Sequence, residues 1–564
     1  MRPWPMPPRS RTSEQGGWLG LSATFWHVVA CIALILLAAA TFSNALRNQF
    51  VSFDDWFLVE QNARIRSLGW HSLGRILFYQ SNHAWLPLRE LSYALDYHFW
   101  GLLPLGYHLT NLAFHTANVL LAYAVMAWLL RRQGLALLGA AWFAVHPVQV
   151  ESVTWVSGRR DVQYAFFFLL AFLAFLAYER GRGRRRWVFY AASLVLLLAA
   201  MLSKASAMVF PAILVLTVLL FKGSEAALGR RLLACVAHGA IAAGLVVVHL
   251  IVAQRAGVVK GQALGSSLAS VPLIFGKYWR LLFFPIHLVT PHGDATLKWS
   301  SPLPIALWAA AVAGVVALVW WSAPRRKVAL FCLGWWFLLL LPVSNLIPLS
   351  VLVAERYMYL PVLAACAFGV DLVGGLLRQR KAVVVVCSAS ILALLAVATH
   401  SRNRVWENGR TFWEDGVSKW PDVPVTRIGL AVEYVEANEL ELAWREYMTV
   451  ALAWGSAASR HPEHVELVNT GIESSYERLA RRREASGDTE GALRVYETVI
   501  RLMPDAVKPR VLLAEAFERL GRLDSAREQV LAVKELDKSY PGLDAWLSRL
   551  EEERRPRGGG GAKE

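Results

Sequence analysis

The first 400 residues alternate between long apolar runs and short polar connections. A helix that crosses the hydrocarbon core of a bilayer needs about 20 apolar residues. The pattern therefore predicts eleven membrane-spanning helices, over residues 24–43, 107–130, 135–147, 162–178, 187–203, 206–221, 231–252, 302–321, 328–343, 358–377 and 382–400. The apolar stretch 268–284 also contains Lys277 and Arg280, which indicates an interfacial or re-entrant helix rather than a further span.

Basic residues concentrate in every second connection between these spans, at residues 131–132, 180–186, 222–231, 325–327 and 378–381. Cytoplasmic connections of membrane proteins carry such an excess of Lys and Arg. The pattern predicts a cytoplasmic N-terminal segment 1–23 in a multi-pass protein of a bacterial inner or plasma membrane, or of the endoplasmic reticulum. Loop 44–106 and everything after residue 400 are predicted to lie on the other side, in the periplasm or a lumen.

The chain after residue 400 is charged, has no long apolar run and contains an internal repeat. Small residues recur at a spacing of 34, as Ala480, Gly487, Ala492 and then Ala514, Gly521, Ala526, with a looser earlier copy at Ala431, Asn438, Ala443. Small side chains at these places allow paired helices to cross closely, a pattern that resembles tetratricopeptide repeats. We therefore predict an all-α fold, in which a polytopic membrane domain (24–400) is followed by a linker (401–424), a helical solenoid (425–550) and a disordered tail (551–564).

Composition agrees with a membrane protein. The 564 residues are 56% hydrophobic and include 24 Trp and 16 Tyr, residues that favour bilayer interfaces. Much of the formal net charge of +16 lies in the basic connections, so it does not indicate nucleic-acid binding. The cysteines all lie in apolar runs and lack metal-ligand spacing, which predicts small buried hydrophobic residues: Cys31, Cys235, Cys332, Cys366 and Cys387.

The strongest candidate for chemistry is the acidic pair Asp54-Asp55, which follows the first span in loop 44–106. The stretches 68–79 and 88–100 of this loop are amphipathic and are expected to lie as helices on the bilayer. An alternative role for Asp55 is to cap the N-terminus of a helix beginning at Trp56. A carboxylate pair could also hold a divalent cation, but no third ligand stands at a recognisable spacing, so no metal site is predicted.

The segment 145–161 is dense in charge for a connection between two spans, with His146, Glu151, Arg159 and Arg160. Arginine forks suit phosphate oxygens. The alternative is that Glu151 and Arg159 pair only with each other and fix the loop.

Further charged residues stand at the predicted outer ends of other spans: Arg89, Lys204, Glu355 and Arg356. Positive charge is otherwise disfavoured on that side of a membrane, and a lipid-linked phosphate would explain it. In the second span, His108, Asn111, His115 and Asn118 follow one helical face and are expected to bond neighbouring helices or to face a cavity.

These groups fit glycosyl transfer from a polyprenyl-phosphate sugar. A carboxylate would accept the proton of the acceptor hydroxyl as it attacks the anomeric carbon. Arg or Lys would stabilise the charge that develops on the leaving phosphate. A single displacement would invert the anomeric configuration.

Several short motifs together resemble one family: Phe53-Asp54-Asp55, Pro87-Leu88-Arg89, Gly106-Tyr107-His108, His146-Pro147 with Glu151, Gly158-Arg159-Arg160-Asp161, Leu202-Ser203-Lys204 and Glu355-Arg356-Tyr357. In order and along nearly the whole chain, they are similar to the transmembrane-and-tetratricopeptide-repeat protein O-mannosyltransferases and their bacterial relatives, within the C-type glycosyltransferase superfamily. The resemblance implies a lipid-phosphate sugar donor and an acceptor protein that the repeats could bind.

The resemblance also implies roles for residues. Asp54 and Asp55 would be catalytic, with Asp54 favoured as the base, and Glu151 would support them. Donor phosphate or substrate would be bound by residues from the other motifs: Arg89, His146, Arg159, Arg160, Lys204, Glu355 and Arg356. The repeat domain is shorter than in many members of the family, and the sugar need not be mannose. Two alternatives stay open, namely transfer to a lipid or surface glycan, and transport of a lipid-linked glycan without catalysis.

Overall fold

The computed structural model describes residues 23–78, 85–221, 227–255, 264–290, 326–346, 351–376, 379–454 and 462–554, with the single positions 314 and 317. Within these ranges all regular secondary structure is helical, which confirms the predicted all-α fold. The chain divides into two compact units, Met1–Phe412 and Trp413–Glu564. The division falls inside the predicted linker 401–424, most of which is helical.

The first unit contains fourteen α-helices in the described ranges: α1 (Ala23–Thr41), α2 (Trp70–Phe78), α3 (Pro87–Trp100), α4 (Pro104–Leu130), α5 (Gln133–Val145), α6 (Val150–Thr154), α7 (Arg159–Arg180), α8 (Arg185–Ser203), α9 (Phe210–Leu220), α10 (Leu228–Arg255), α11 (Leu264–Phe283), α12 (Arg326–Leu340), α13 (Pro361–Leu376) and α14 (Lys381–Asn403). A further helix, α15 (Gly409–Lys419), crosses into the second unit.

Among the described residues, seven helical segments are long and apolar enough to cross a membrane: Thr24–Thr41, Pro104–Leu130, Val156–Arg180, Arg185–Ser203, Leu228–Val252, Arg326–Val343 and Ala382–Trp406. The same residues contain three shorter apolar helices that match other predicted spans: Gln133–Val145, Ala205–Leu220 and Pro361–Gly375. The chain is thus a multi-pass membrane protein. The predicted span 302–321, apart from positions 314 and 317, lies outside the described residues, as do 1–22 and 555–564, so the total of eleven stays a prediction.

Proline and a change of backbone direction shorten two predicted spans. Helix α5 ends at Val145 because His146 is extended (φ −69°, ψ 128°) and Pro147 opens a separate 3₁₀ turn. Pro361 begins α13, after the 3₁₀ turn Glu355–Met358. A proline fits the first turn of a helix, where its missing N–H is not needed. The predicted interfacial stretch corresponds to α11, which contains Pro272.

The first and the last candidate spans end at the same place. His400 Nδ1 lies 3.3 Å from the carbonyl oxygen of Thr41, and the Asn403 amide donates to that oxygen at 3.1 Å. The helices α1 and α14 therefore run in the same direction to this point. Loop 44–53 and residues 400–412 consequently share one end of the membrane unit, called here the site end.

The interior of the unit is built from aromatic rings. Trp335 of α12 is fully buried and packs against Phe168 and Phe172 of α7 at centroid distances of 5.7 and 5.6 Å. The polar face of α4 bonds its neighbours as predicted. Asn118 donates to the Val162 carbonyl at 2.8 Å, and His115 lies 2.8 Å from the Tyr359 hydroxyl.

Three cysteines are buried as predicted, namely Cys235, Cys332 and Cys366. Cys31 is only partly buried, and Cys387 is exposed. Burial was therefore the wrong prediction for Cys387, because it lies on the outward face of an apolar helix, where lipid can take the place of protein.

The second unit contains α16 (Pro424–Glu436), α17 (Leu440–Trp454), α18 (Pro462–Ala485), α19 (Thr489–Leu502), α20 (Val507–Arg519), α21 (Leu523–Leu536) and α22 (Leu543–Arg554). The repeating alanines Ala480, Ala492, Ala514 and Ala526 are all fully buried at the helix crossings. Gly487 and Gly521 have φ of +87° and +70°, which end one helix of a pair in the left-handed region that glycine tolerates. Asn438 takes that place in the earlier copy, with φ of +59°.

Candidate active site

Asp55 is fully buried and ties two loops together. Its Oδ2 accepts from the Val51 N–H at 3.1 Å, and its Oδ1 accepts from the Ser157 N–H and hydroxyl at 2.9 and 2.5 Å. Burial raises the pKa of Asp55 from 3.8 to about 7, against these hydrogen bonds, which lower it. The predicted alternative that Asp55 caps a helix is wrong, because its side chain makes no capping hydrogen bond to the π-helical turn Trp56–Glu60.

Asp54 differs from its neighbour in burial and in hydrogen bonding. It is only partly buried, and its carboxylate makes no hydrogen bond or ion pair with any residue in the described part of the chain. Its backbone carbonyl accepts from the Leu58 N–H at 2.8 Å, which begins the turn. Burial lowers the pKa of the Arg89 guanidinium, but Glu90 raises it by more in sum with smaller contributions, of which the Asp54 charge is one, so that the pKa of Arg89 is raised. Asp54 is therefore held by its backbone while its carboxylate stays available.

Arg89 lies at the start of α3 and is 2% exposed. Its Nη2 donates to Glu90 Oε1 at 2.7 Å, and Glu90 Oε2 accepts from the Asn62 amide at 2.8 Å. Arg64 adds a 3.6 Å ion pair to the same carboxylate. This group fixes α3 beneath the loop that carries Asp54.

Glu151 is fully buried and bonds to Arg356 in two ways. One carboxylate oxygen accepts from the Arg356 guanidinium, and the other accepts from its backbone N–H at 2.6 Å. The alternative in which Glu151 pairs with Arg159 is therefore wrong. The Arg356 guanidinium carbon lies 5.6 Å from the centroid of the Trp155 ring and 5.2 Å from that of Tyr357.

Arg159 is fully buried, and each of its guanidinium nitrogens has a protein partner. Nη2 donates to Asp96 at 2.6 Å and to the Tyr107 carbonyl at 2.9 Å, Nη1 donates to Ser92 at 3.2 Å, and Nε donates to Asn111. The side chain thereby joins α3, α4 and α7. A phosphate could reach it only by displacing these partners, so the geometry favours a structural role over the predicted phosphate contact.

A second group of cations lies against the rings of Trp155 and Tyr357. Lys204 donates to Asp161 and lies 5.2 Å from the ring centroids of Tyr164 and Tyr357. Arg160 is 3.8 Å from Asp161 and 5.9 Å from the Trp155 ring, with its side chain 22% exposed. Burial is the main cause that lowers the pKa of Lys204, and the charge of Arg356 lowers it further. Arg356 therefore belongs to the same group.

The Trp155 ring connects these cations to the acidic loop. Phe53, directly before Asp54, packs on Trp155 at a centroid distance of 5.3 Å and on Phe412 at 5.6 Å. Trp406 completes the group, at 5.8 Å from Trp155 and 4.7 Å from Phe412. The acidic pair, Glu151, Arg160, Lys204 and Arg356 thus gather at the site end.

Two predicted residues have other surroundings. His146 Nε2 lies 3.1 Å from the carbonyl oxygen of Leu282, and the ring lines a separate cavity. Glu355 is fully buried, and the Arg402 guanidinium lies 3.9 Å from its carboxylate. In the described part of the chain, no group of three or more His, Cys, Asp or Glu is placed to hold a metal ion.

Three acidic residues to which the sequence assigned no role in the site are Asp96, Asp161 and Glu90. Each is buried against one of the predicted cations. A signal for Asp96 and Glu90 existed, because carboxylates on the amphipathic helix 88–100 need a reason to face inward. Their partners, however, could not be identified from local spacing.

Comparison with known proteins identifies similar chains. Residues 484–546 match the model of the tetratricopeptide repeat family, which confirms the predicted repeats there. The protein O-mannosyl-transferase Tmtc1 of Drosophila melanogaster is 38% identical over 127 residues, or 22% of this chain and 14% of that protein. Drosophila Tmtc2 is 32% identical over 189 residues, or 31% of this chain and 20% of that protein.

Human TMTC1, also a protein O-mannosyl-transferase, is 31% identical over 156 residues, which cover 25% of this chain and 18% of that protein. These matches confirm the family resemblance, although each spans a fifth or less of the relative's length. Among solved structures, the archaeal oligosaccharyltransferase AglB from Archaeoglobus fulgidus aligns with a TM-score of 0.41 and 13% identity, over 74% of this chain and 60% of that one.

Proposed function

We propose that this protein is a membrane glycosyltransferase, which transfers a sugar from a polyprenyl- or dolichyl-phosphate donor to a hydroxyl group with inversion at the anomeric carbon. The observation that carries the proposal is the contrast within the acidic pair. Asp55 is buried and bonded, whereas the Asp54 carboxylate is partly exposed and has no partner among the described residues. Three cations with aromatic neighbours lie at the same end of the unit.

In this proposal Asp54 is the general base. It accepts the proton of the acceptor hydroxyl as the oxygen forms its bond to the anomeric carbon. The bond between that carbon and the phosphate oxygen breaks on the opposite face of the sugar, and its electron pair leaves with the phosphate. The products are a glycoside, a protonated Asp54 and a polyprenyl phosphate.

Arg160, Lys204 and Arg356 are proposed to receive the leaving phosphate. Fixed cations in a site shielded from water stabilise developing charge without having to reorganise. Glu151 holds Arg356 through both its side chain and its backbone, so we assign it a positioning role. Arg89 balances the Asp54 charge, and Arg159 holds the helices that frame the site.

The relatives' names indicate mannose as the sugar and a protein as the acceptor, which we propose for this chain through Ser or Thr hydroxyls. The tetratricopeptide repeats within 425–550 would bind the acceptor protein, because stacked helical pairs present a continuous binding surface. We place the reaction on the extracytoplasmic side, with the N-terminus in the cytoplasm, from the basic connections.

The test is to incubate the purified full-length protein in lipid nanodiscs with a panel of polyprenyl-phosphate sugars and Ser/Thr-rich acceptor proteins. We expect consumption of one donor and a glycosylated acceptor, with transfer by Asp54→Asn lowered about 10²- to 10⁴-fold and the control Asp422→Asn, at an exposed position in the linker 401–424, fully active. Donor consumption with a lipid or glycan product only would refute the protein acceptor. Failure to consume any donor, together with binding of a lipid-linked glycan, would favour transport.

A deletion tests the part played by the repeats. Removing 425–564 should impair glycosylation of a protein acceptor more than hydrolysis of the donor, because the membrane unit retains the whole proposed site. Equal loss of both activities would indicate that the repeats are structural.

A further inference from the structure

The end of the membrane unit opposite the site end carries a dense cluster of arginines. Helix α7 starts at the site with Arg159 and ends at Arg180, about 32 Å along its axis at 1.5 Å per residue, which matches a hydrocarbon core of about 30 Å. Helix α4 ends beside it, since Trp128 packs on Phe172 at a centroid distance of 5.7 Å. The two connections at this end, called here the basic end, contain these exposed or partly exposed arginines: Arg131, Arg132, Arg180, Arg182, Arg184, Arg185 and Arg186.

The stretch 178–190 contains a single carboxylate, and that carboxylate already has a partner elsewhere. Glu179 is buried and accepts from Arg231 Nε at 2.5 Å. This pair ties the start of α10 to the end of α7, and it places the exposed Arg230 at the basic end as well. None of these exposed arginines forms an ion pair with a carboxylate in the described part of the chain. Among those residues, the basic end therefore holds positive charge without a protein counter-ion.

One of these guanidinium groups is held on aromatic rings at the membrane surface. The guanidinium carbon of Arg186 lies 4.5 Å from the centroid of the Tyr178 ring and 5.4 Å from that of Trp187. Tyr190 packs on Tyr178 at a centroid distance of 4.9 Å. Trp and Tyr side chains favour the headgroup level of a bilayer. Arg186 is therefore fixed at headgroup depth, so it loses less side-chain freedom when it binds an anion.

The connection between α7 and α8 is tight. Gly183 has φ of +60°, and a Cβ added at Gly181 would lie 3.0 Å from the Cβ of Arg186. The turn thus brings Arg186 back over the end of α7. A charge that only sets the orientation of a membrane protein needs neither a fixed geometry nor arginine, because lysine serves equally well. The arginine fork, in contrast, binds phosphate oxygens through two parallel hydrogen bonds.

We propose that the basic end binds the headgroup of an anionic phospholipid, with the phosphodiester on Arg186 and its neighbouring arginines. The acyl chains would lie along Trp187 and Val188, which are 57% and 66% exposed. A zwitterionic headgroup would bring an ammonium group close to unpaired arginines, which repel it. Basic surfaces between spans at the cytoplasmic side, where we place this end, suit anionic headgroups. Because α7 separates the basic end from Asp54, this site does not depend on the proposed function.

The test measures lipid binding to the full-length protein in detergent micelles. The protein is titrated with phosphatidylglycerol or with phosphatidylcholine that carries the same acyl chains, and native mass spectrometry counts the lipids bound to each molecule. We expect the first phosphatidylglycerol to bind at least roughly tenfold more tightly than phosphatidylcholine. Phosphatidylglycerol should also raise the unfolding temperature, because a ligand that binds only the folded state stabilises it.

Three variants locate the site. Arg186→Gln should weaken the binding of phosphatidylglycerol by roughly tenfold, because it removes hydrogen bonds between charged groups, and it should leave phosphatidylcholine binding unchanged. Arg186→Lys keeps the charge but removes the fork, and it should weaken binding by roughly threefold. Arg255→Gln is the matched control, since Arg255 is exposed at the other end of α10 from Arg230; it should change the affinity by less than about twofold.

Three results would overturn the proposal. The first is equal affinity for phosphatidylglycerol and phosphatidylcholine. The second is an equal effect of Arg186→Gln and Arg255→Gln, which would mean that the lipid responds to the net charge of the protein and not to the basic end. The third is displacement of bound phosphatidylglycerol by an equimolar amount of polyprenyl phosphate, which would assign the basic end to the carrier lipid of the proposed donor.

Discussion

Exchanging Asp54 and Asp55 one at a time for asparagine should separate catalysis from structure within two adjacent residues. Asp54→Asn removes the proposed base but leaves no buried group without a partner, because the Asp54 carboxylate has none to lose among the described residues. Asp55→Asn keeps the proposed base but leaves a buried group without its partner. The asparagine oxygen can still accept from Ser157, but its amide then faces the buried N–H of Val51.

Asp54→Asn should change the rate of transfer, whereas Asp55→Asn should change the free energy of unfolding. A positioned general base contributes about 10²- to 10⁴-fold to the rate, which is about 3–5 kcal/mol of activation free energy. Asp54→Asn should therefore lower kcat by that factor at an unchanged unfolding temperature. An unpaired buried N–H costs about 1–3 kcal/mol, so Asp55→Asn should lower the free energy of unfolding by that amount at pH 6, where the wild-type side chain is mostly protonated.

The assay is sugar transfer by purified variants in nanodiscs, with thermal unfolding followed by the fluorescence of the 24 tryptophans. Transfer by Asp54→Asn within threefold of wild type would refute the assignment of the base. So would an Asp55→Asn variant that keeps its unfolding temperature yet loses all activity, because the buried residue would then be the one that acts on the substrate.

Four further predictions concern stability, substrate affinity and topology. Burial raises the pKa of Asp55 from 3.8 to about 7, so the contribution of its protonated form to stability is complete below pH 3.8 and is lost as the pH rises through 7. The free energy of unfolding should fall over this range by an amount on the order of 4 kcal/mol. Asp55→Asn should flatten the pH profile of the unfolding temperature. Arg159→Met should destabilise the protein by about 3–5 kcal/mol, because it leaves Asp96 buried without its cation; a stable variant with only weaker donor binding would show that Arg159 binds phosphate after all. Arg160→Gln should raise the KM for the donor by roughly tenfold at an unchanged unfolding temperature, and donor titrations in which the KM does not change would remove Arg160 from the site. A reporter fused after residue 420 should be active only in the periplasm or lumen, and activity in the cytoplasm would reverse the proposed orientation.

Hydropathy and small-residue spacing were enough to predict the fold class. The apolar runs gave the spans because a helix in lipid must be apolar over a known length. The repeats were visible because small side chains are buried at the helix crossings, and because the turn needs a residue that tolerates positive φ, as Gly487 and Gly521 do. Both signals are local, so a single sequence contains them.

The partners of the charged residues could not be predicted in the same way. Arg159 and Asp96 are 63 residues apart, and Glu151 and Arg356 are 205 apart. Nothing in the local spacing distinguishes these pairs from the Glu151–Arg159 pair that the sequence left open. The different surroundings of the Asp54 and Asp55 side chains also depend on a distant residue, because Ser157 supplies two of the three hydrogen-bond donors to Asp55.

The contacts of the first loop with the end of the last span bear on how the protein matures during synthesis. The Asn48 amide donates to the carbonyl of Asn403, 355 residues later, and the Gln49 N–H donates to the carbonyl of Glu407 at 2.8 Å. At roughly 5–20 residues per second, a ribosome needs about 20–70 s to make the intervening chain. Through that interval the loop that carries Asp54 lacks its contacts with the last span. We therefore expect a nascent or truncated chain that ends before residue 407 to lack the proposed transfer activity.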